Sequence, residues 1–322
     1  MPNRNNKVDP DQVRAAVDAV VAEMEVIESF GKLVDHIEGM SELVVNRFGV
    51  CVVTANGDVI EGGEADHPFP IQSISKVFAL TMALEAHGDD VWKRVGREPS
   101  GDPFNSIIDL ERKKGIPRNP FINAGALVIA DMLLDRDKPQ HEDVAAFLAD
   151  HIGANDFDVD PDVFDKEAKG GYTNRALANL AKSFDNLHHE VDDVMKLYVR
   201  QCAIALTCRQ LALAGRYLML SPSGRKKKIS LQEAHRVRRI NALMLTCGQY
   251  DGAGDFAYRV GLPAKSGVGG GILAVVPHIA SIAVWSPGLD DNGNSLLGTI
   301  ALERLSERLG WSVFGSVPPV GA

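Results

Sequence analysis

Ser73 and Lys76 stand three residues apart in the stretch Phe69-Pro-Ile-Gln-Ser-Ile-Ser-Lys-Val-Phe-Ala79. They open an apolar run, 74–84, with helical spacing. Residues at i and i+3 share one face of a helix, so this hydroxyl and this amine can meet. A serine hydroxyl is a weak nucleophile until a neighbour takes its proton. A lysine can take it only when burial or nearby charge keeps the amine neutral. At the start of a helix, free backbone N–H groups can also hold a developing oxyanion. Alone, Ser-x-x-Lys equally fits a capped helix with a solvated lysine, so other parts of the chain have to decide.

The elements around that pair are legible from period and punctuation. An amphipathic helix is expected over 11–28, with Val13, Val17, Val20, Val21, Met24 and Ile27 on one face. Residues 48–54, the Asn56-Gly57 turn and Val59-Ile60 read as strand, turn and strand. The Ser73 helix should stop near Gly88, and 89–119 reads as one long irregular connection. Helices are expected over 124–134, 141–151, 172–184, 191–201, 209–220 and 230–247. Two buried strands, 272–276 and 279–285, and a closing helix, 295–309, complete the chain. Strands at both ends and helices between them predict an α+β fold, its sheet built from the two ends with a helical lobe inserted. The expected division is an α/β lobe from 1–72 and 253–322 and a helical lobe from 73–252, together one catalytic domain.

Composition narrows the function. With 45% hydrophobic and 24% charged residues over 322 positions, the chain can build a sizeable core. A net charge of −9 argues against general nucleic-acid binding. The polar start and the lack of a long apolar run argue against a membrane and for a cytoplasmic protein. Cys51, Cys202, Cys208 and Cys247 lie in apolar surroundings without a Cys-x-x-Cys pair, which predicts buried reduced thiols. Residues 267–271 precede a strand, so they are no dinucleotide fingerprint. His188-His189-Glu190 reads as a solvated helix start and no metal site. Arg225-Lys-Lys-Lys228 with Arg236, Arg238 and Arg239 reads as an exposed loop and helix face.

Lys265-Ser266-Gly267 follows far downstream of Ser73, with Tyr172-Thr-Asn174 between them. This ordered set resembles the serine β-lactamases and penicillin-binding proteins. Longer stretches resemble the serine-dependent glutaminases more closely. They are Glu98-Pro-Ser-Gly-Asp-Pro-Phe-Asn-Ser106, Asn119-Pro-Phe-Ile-Asn-Ala-Gly-Ala126, Cys247-Gly-Gln-Tyr-Asp251, Gly261-Leu-Pro-Ala-Lys-Ser-Gly-Val-Gly-Gly-Gly271 and Trp285-Ser-Pro-Gly-Leu-Asp-Asp-Asn-Gly-Asn-Ser295. The resemblance runs from about Gly31 to about Leu309. It implies a β-lactamase-like fold, L-glutamine as substrate, L-glutamate and ammonia as products, no cofactor, no metal, and a homodimer or homotetramer.

The resemblance also implies roles. Ser73 matches the nucleophile, Lys76 its base, and Tyr250 a tyrosine able to relay a proton to the leaving ammonia. Val268 matches the position whose backbone N–H joins that of Ser73 at the oxyanion. Asn123, Glu167, Asn174 and Tyr198 match the partners of the substrate's ammonium and carboxylate, with Glu167 suited to the ammonium. Read without the resemblance, those four are a helix cap, a solvated carboxylate, a first-turn polar residue and a core ring. His36 falls where many relatives carry a second active-site tyrosine: Asp35-His-Ile-Glu38 stands where they often read Asp-Tyr-Ile-Pro. Two other readings stay open at this stage, a β-lactam or peptidoglycan enzyme of the same fold and a glutamine-binding protein without catalysis.

Overall fold

A computed structural model describes residues 8–28, 30–33, 45–99, 107–135, 143–161, 171–221 and 228–315. Strands β1 (Gly49–Thr54) and β2 (Val59–Gly63) form the expected hairpin. Gly57 supplies the positive φ of its turn, +99°, and the Thr54 hydroxyl donates to Asp58 at 2.7 Å. Two two-residue strands, β3 (Phe69–Pro70) and β4 (Ala205–Leu206), pair with each other. Near the C-terminus come β5 (Ala264–Ser266), β6 (Gly271–Val276) and β7 (Ala280–Trp285). The main sheet runs β2-β1-β7-β6-β5, antiparallel throughout, so β1 from the first part of the chain pairs with β7 from the last.

Every residue of β1, β6 and β7 is buried, because both faces of the sheet are covered. Alternation along each strand divides the side chains between two cores. Val50, Val52, Ile272, Ala274, Ile282 and Val284 pack toward the helices Pro10–Glu25 and Leu296–Leu309. Cys51, Val53, Leu273, Val275, Ala283 and Trp285 join the core of the helical region. Each fully buried Val or Leu contributes about 1.5–3 kcal/mol, so the two-sided sheet is the stable frame of the site. Asp9 and Ser295 cap the two terminal helices, and Glu23 pairs with both Arg304 and Arg308 between them.

The helices over Ser75–His87, Asn123–Leu133, Val144–Ile152, Tyr172–Ser183, Val191–Cys202 and Leu231–Cys247 lie where the period places them. Three readings change. Residues 89–119 are no single irregular connection, since short helices occupy Val91–Arg94 and Ile107–Arg112. Their one or two turns are too brief to leave a periodic signal. The helix expected over 209–220 stops at Ala214 and continues as a 3-10 turn to Met219, where Leu220 takes φ +54°. A helix over Ala253–Arg259 was not expected at all. The cysteines are all buried and free. No helix among the described residues is long and apolar enough to cross a membrane.

Candidate active site

The β3–β4 pair delivers the chain to Ser73. Ile71 donates to the Ile204 carbonyl at 2.8 Å, and Gln72 then turns through φ +47°, a conformation that costs a non-glycine residue about 1–3 kcal/mol. Ser73 lies in a 3-10 turn, Gln72–Ile74, ahead of the helix, not on the helix itself. The Ser75 hydroxyl donates back to the Gln72 carbonyl at 2.7 Å and pins that turn. The helix behind it is buried on every side from Ser75 to Leu84, so it forms the axis of the helical region and cannot tilt freely.

Lys76 is 1% exposed, which removes the solvated-lysine alternative. Its ammonium nitrogen donates to Asn123 Oδ1 at 2.7 Å and to the Phe121 carbonyl at 3.2 Å. The loop presenting both acceptors is shaped by Asn119, whose Oδ1 accepts from the N–H groups of Phe121 and Ile122. Gly125 permits this fold-back, since a Cβ there would lie 1.9 Å from the Asn119 oxygen. Asn123 is therefore not a helix cap. Its amide nitrogen donates to Asn174 Oδ1 at 3.0 Å, and the Tyr198 hydroxyl reaches its oxygen at 3.4 Å. The structure thus brings Ser73, Lys76, Asn123, Asn174 and Tyr198 together from four separate segments.

Tyr250 closes the opposite side at a backbone φ of +49°. Part of the residue is accessible, but its hydroxyl is enclosed and hydrogen-bonded to Ser73 and Ser266. Burial pushes this phenol up to about 12, partly opposed by the bond to Ser73. It therefore keeps its proton over the whole neutral range. Lys265, fully buried on β5, lies 4.4 Å from the Tyr250 ring centroid and donates to the Ser266 carbonyl at 2.6 Å. Burial first, and the nearby Lys76 second, push Lys265 well below the usual lysine range. Ser266 donates to Asn294 Oδ1 at 2.6 Å, and Asn294 Nδ2 donates to the Gln249 carbonyl. Lys265 and Ser266 are not among the site residues expected from the sequence, where they stand only as part of a motif. The motif itself was the signal.

Val268 sits in the turn between β5 and β6. Gly270 N donates to the Gly267 carbonyl and Gly267 N to the Gly271 carbonyl, both at 3.0 Å. A Cβ at Gly267 or Gly269 would lie 2.5 Å from the Ile71 oxygen or 2.2 Å from the Pro70 oxygen. The turn therefore rests on the backbone that leads into Ser73, an approach only glycine allows. No acceptor is paired with the Val268 N–H among the described residues.

His36 and Glu167 lie outside the described residues. Outside the site, two readings of charge change. His188 and Glu190 are exposed, but His189 is half-buried, with Nδ1 3.0 Å from the buried Asp131. Arg236 and Arg239 pair with Glu85 and Asp89, so the basic cluster is partly neutralised. Among the described residues no group of His, Cys, Asp or Glu could hold a metal ion. A cleft of about 430 Å³ shares Phe121 and Tyr250 with the site but is not lined by Ser73 or Lys76.

Comparison with known proteins gives the family and the fold. The family model described as Glutaminase matches residues 31–314. A protein named Glutaminase from Rhodopseudomonas palustris (strain HaA2) is 52% identical over 310 residues, 96% of this chain and 100% of that protein. One of the same name from Rhizobium meliloti (strain 1021) is 50% identical over 307 residues, 95% and 98% of the two chains. The solved probable glutaminase ybaS superposes with a TM-score of 0.84 at 34% identity, covering 95% of this chain and 99% of its own. The probable glutaminase of Bacillus subtilis superposes with a TM-score of 0.78 at 33% identity, covering 94% and 96%. On an α+β fold of the β-lactamase-like type, this chain belongs to the glutaminase family.

Proposed function

We propose that the chain hydrolyses the side-chain amide of L-glutamine to L-glutamate and ammonia through a glutamyl ester on Ser73. The observation that carries this reading is the setting of Lys76. A neutral amine has two hydrogens and one lone pair. Asn123 Oδ1 and the Phe121 carbonyl accept from the amine, and the lone pair of its neutral form takes the Ser73 proton. The alkoxide attacks the amide carbon, and the oxyanion is held by the N–H groups of Ser73 and Val268. The C–N bond then breaks as the Tyr250 hydroxyl protonates the departing nitrogen, and the Lys76 proton returns to the phenolate. Water, deprotonated by the same base, attacks the ester and releases glutamate.

Recognition of the amino-acid end rests on the family resemblance together with the Asn123–Asn174–Tyr198 contacts. Glu167 takes the α-ammonium in this reading, and His36 borders the pocket. A cytoplasmic location, self-association and the two-lobe division of a single catalytic domain belong to the same proposal. The test is ammonia release from glutamine and asparagine by the wild type and the Ser73→Ala protein. Release from glutamine alone, lost in the variant while L-glutamate still binds, is expected. Full turnover by Ser73→Ala would overturn the mechanism. Cleavage of a chromogenic β-lactam in place of glutamine would overturn the substrate.

A further inference from the structure

An oxyanion donor works only if it is already aimed when charge develops, at about 2.7–3.1 Å from the reacting oxygen. The turn carrying Val268 is poorly suited to hold such an aim, since Gly267, Gly269 and Gly270 surround it and each permits wide backbone rotation. One side chain braces it. Trp285, at the end of β7 and 1% exposed, donates from its indole Nε1 to the Gly269 carbonyl at 3.0 Å. The next residue, Ser286, donates its backbone N–H to the Gly270 carbonyl at 3.0 Å. The strand register ties the indole to the turn as well, because Trp285 stands opposite Gly271.

The indole is itself held on several sides. Phe69, two residues before Ile71, lies parallel to it with ring centroids 5.9 Å apart. His67 lies 4.4 Å away, and the Arg47 guanidinium sits 5.4 Å from the ring centroid. Arg47 is anchored in turn by Glu64 and approaches His67 Nδ1 at 3.2 Å. The brace thus touches both halves of the oxyanion site: its N–H grips the Val268 turn, and its face stacks on the strand that leads to Ser73.

We propose that Trp285 is a positioning residue for catalysis, holding the Gly269 carbonyl so that the neighbouring Val268 N–H points toward the reacting oxygen. This inference rests on the oxyanion role given to Val268 above. Without the indole N–H, the Gly269–Gly270 peptide keeps only the Gly270 N–H bond to the Gly267 carbonyl, and the donor is misaimed during part of each encounter. Ground-state binding of the amino-acid end does not use this turn, so kcat should suffer and affinity should not.

The experiment compares wild type with Trp285→Phe, which keeps an aromatic ring against Phe69 and His67 and removes the donor. A kcat lower by about tenfold is expected, well short of the ~10²–10³ lost when an oxyanion donor is deleted outright. The dissociation constant for L-norvaline, which has the amino-acid end and no side-chain carbonyl, should stay within about twofold by calorimetry. Should Trp285→Phe fail to fold, site-specific replacement of Trp285 by β-(benzothien-3-yl)alanine keeps the bicyclic shape and exchanges only N–H for sulfur. The same split between kcat and affinity is expected there. An unchanged kcat in either folded protein overturns the proposal, as does an equal loss of kcat and norvaline affinity. Ser73→Ala is assayed beside them. If it is inactive while the Trp285 variants turn over normally, the brace alone is wrong; if it is active, the ester mechanism is wrong.

Discussion

Two groups of charged residues are buried in this protein, and they are treated in opposite ways. Asp131, 0% exposed in the helical region, is surrounded by donors: Arg94 Nη2 at 2.5 Å, the backbone N–H groups of His188 and His189 at 3.0 and 2.7 Å, and His189 Nδ1 at 3.0 Å. Burial pushes its carboxyl up, but Arg94 and the two amides outweigh it and hold the group below the ordinary carboxylate value. At the site, burial first and the neighbouring Lys76 second depress Lys265, and the hydrogen bonds described above for both lysines go to neutral oxygens. A fully satisfied buried charge fastens helices together. A buried amine such as Lys265, beside a second amine, is instead pushed toward neutrality.

The sharpest way to break this contrast is to exchange one residue from each group. Lys76→Met should lower kcat by about 10⁴ or more, as removal of a member of a catalytic pair does, with the melting temperature unchanged or raised. Asp131→Asn should do the reverse. Breaking one partner of a buried ion pair costs about 3–5 kcal/mol of stability. Activity per folded molecule should stay near wild type, measured by denaturant titration beside steady-state kinetics. The gap in stability should be fully open above the ordinary carboxyl value of 3.8 and close as pH falls through the lowered native value. A catalytic loss in folded Asp131→Asn would dissolve the distinction.

Lys265→Met sharpens the comparison within the site. The unfolded lysine binds a proton that the folded one resists, so stability of the wild type rises with pH toward 10.5. The variant should therefore be the more heat-stable protein at neutral pH, its advantage shrinking as pH approaches 10.5. Its kcat should fall by roughly 10², because the amine beside the Tyr250 ring helps to set proton transfer. The smallest effect belongs to the surface. Arg239→Gln removes an exposed pair with Asp89 and should change stability by less than about 1 kcal/mol.

How much of this was legible in the sequence depends on the range of the interaction. Ser73 and Lys76 are read from a three-residue spacing, and the sheet strands from continuous apolar runs, because both signals are local. A sheet built from both ends of the chain follows from economy of architecture, and in the structure β1 pairs with β7. The one- and two-turn helices between 89 and 119 were hidden because so few residues show no period. Asn123 has the type and place of a helix cap, yet it is the first helical residue and its side chain turns to Lys76 and Asn174, partners no local signal shows. His189 looked solvated because its partner, Asp131, lies on another helix. Lys265 was quoted and passed over because its burial beside Tyr250 is a property of packing, invisible along one strand.

The central claim is that Lys76 prepares Ser73 to carry the glutamyl group. Rapid acid quench of the enzyme with L-glutamine, followed by peptide mass spectrometry, tests it most directly. The account predicts a mass increase of one glutamyl group on the Ser73 peptide of the wild type and none in Lys76→Met. A glutamyl adduct on any other residue, or undiminished labelling of Ser73 when Lys76 is Met, would contradict it.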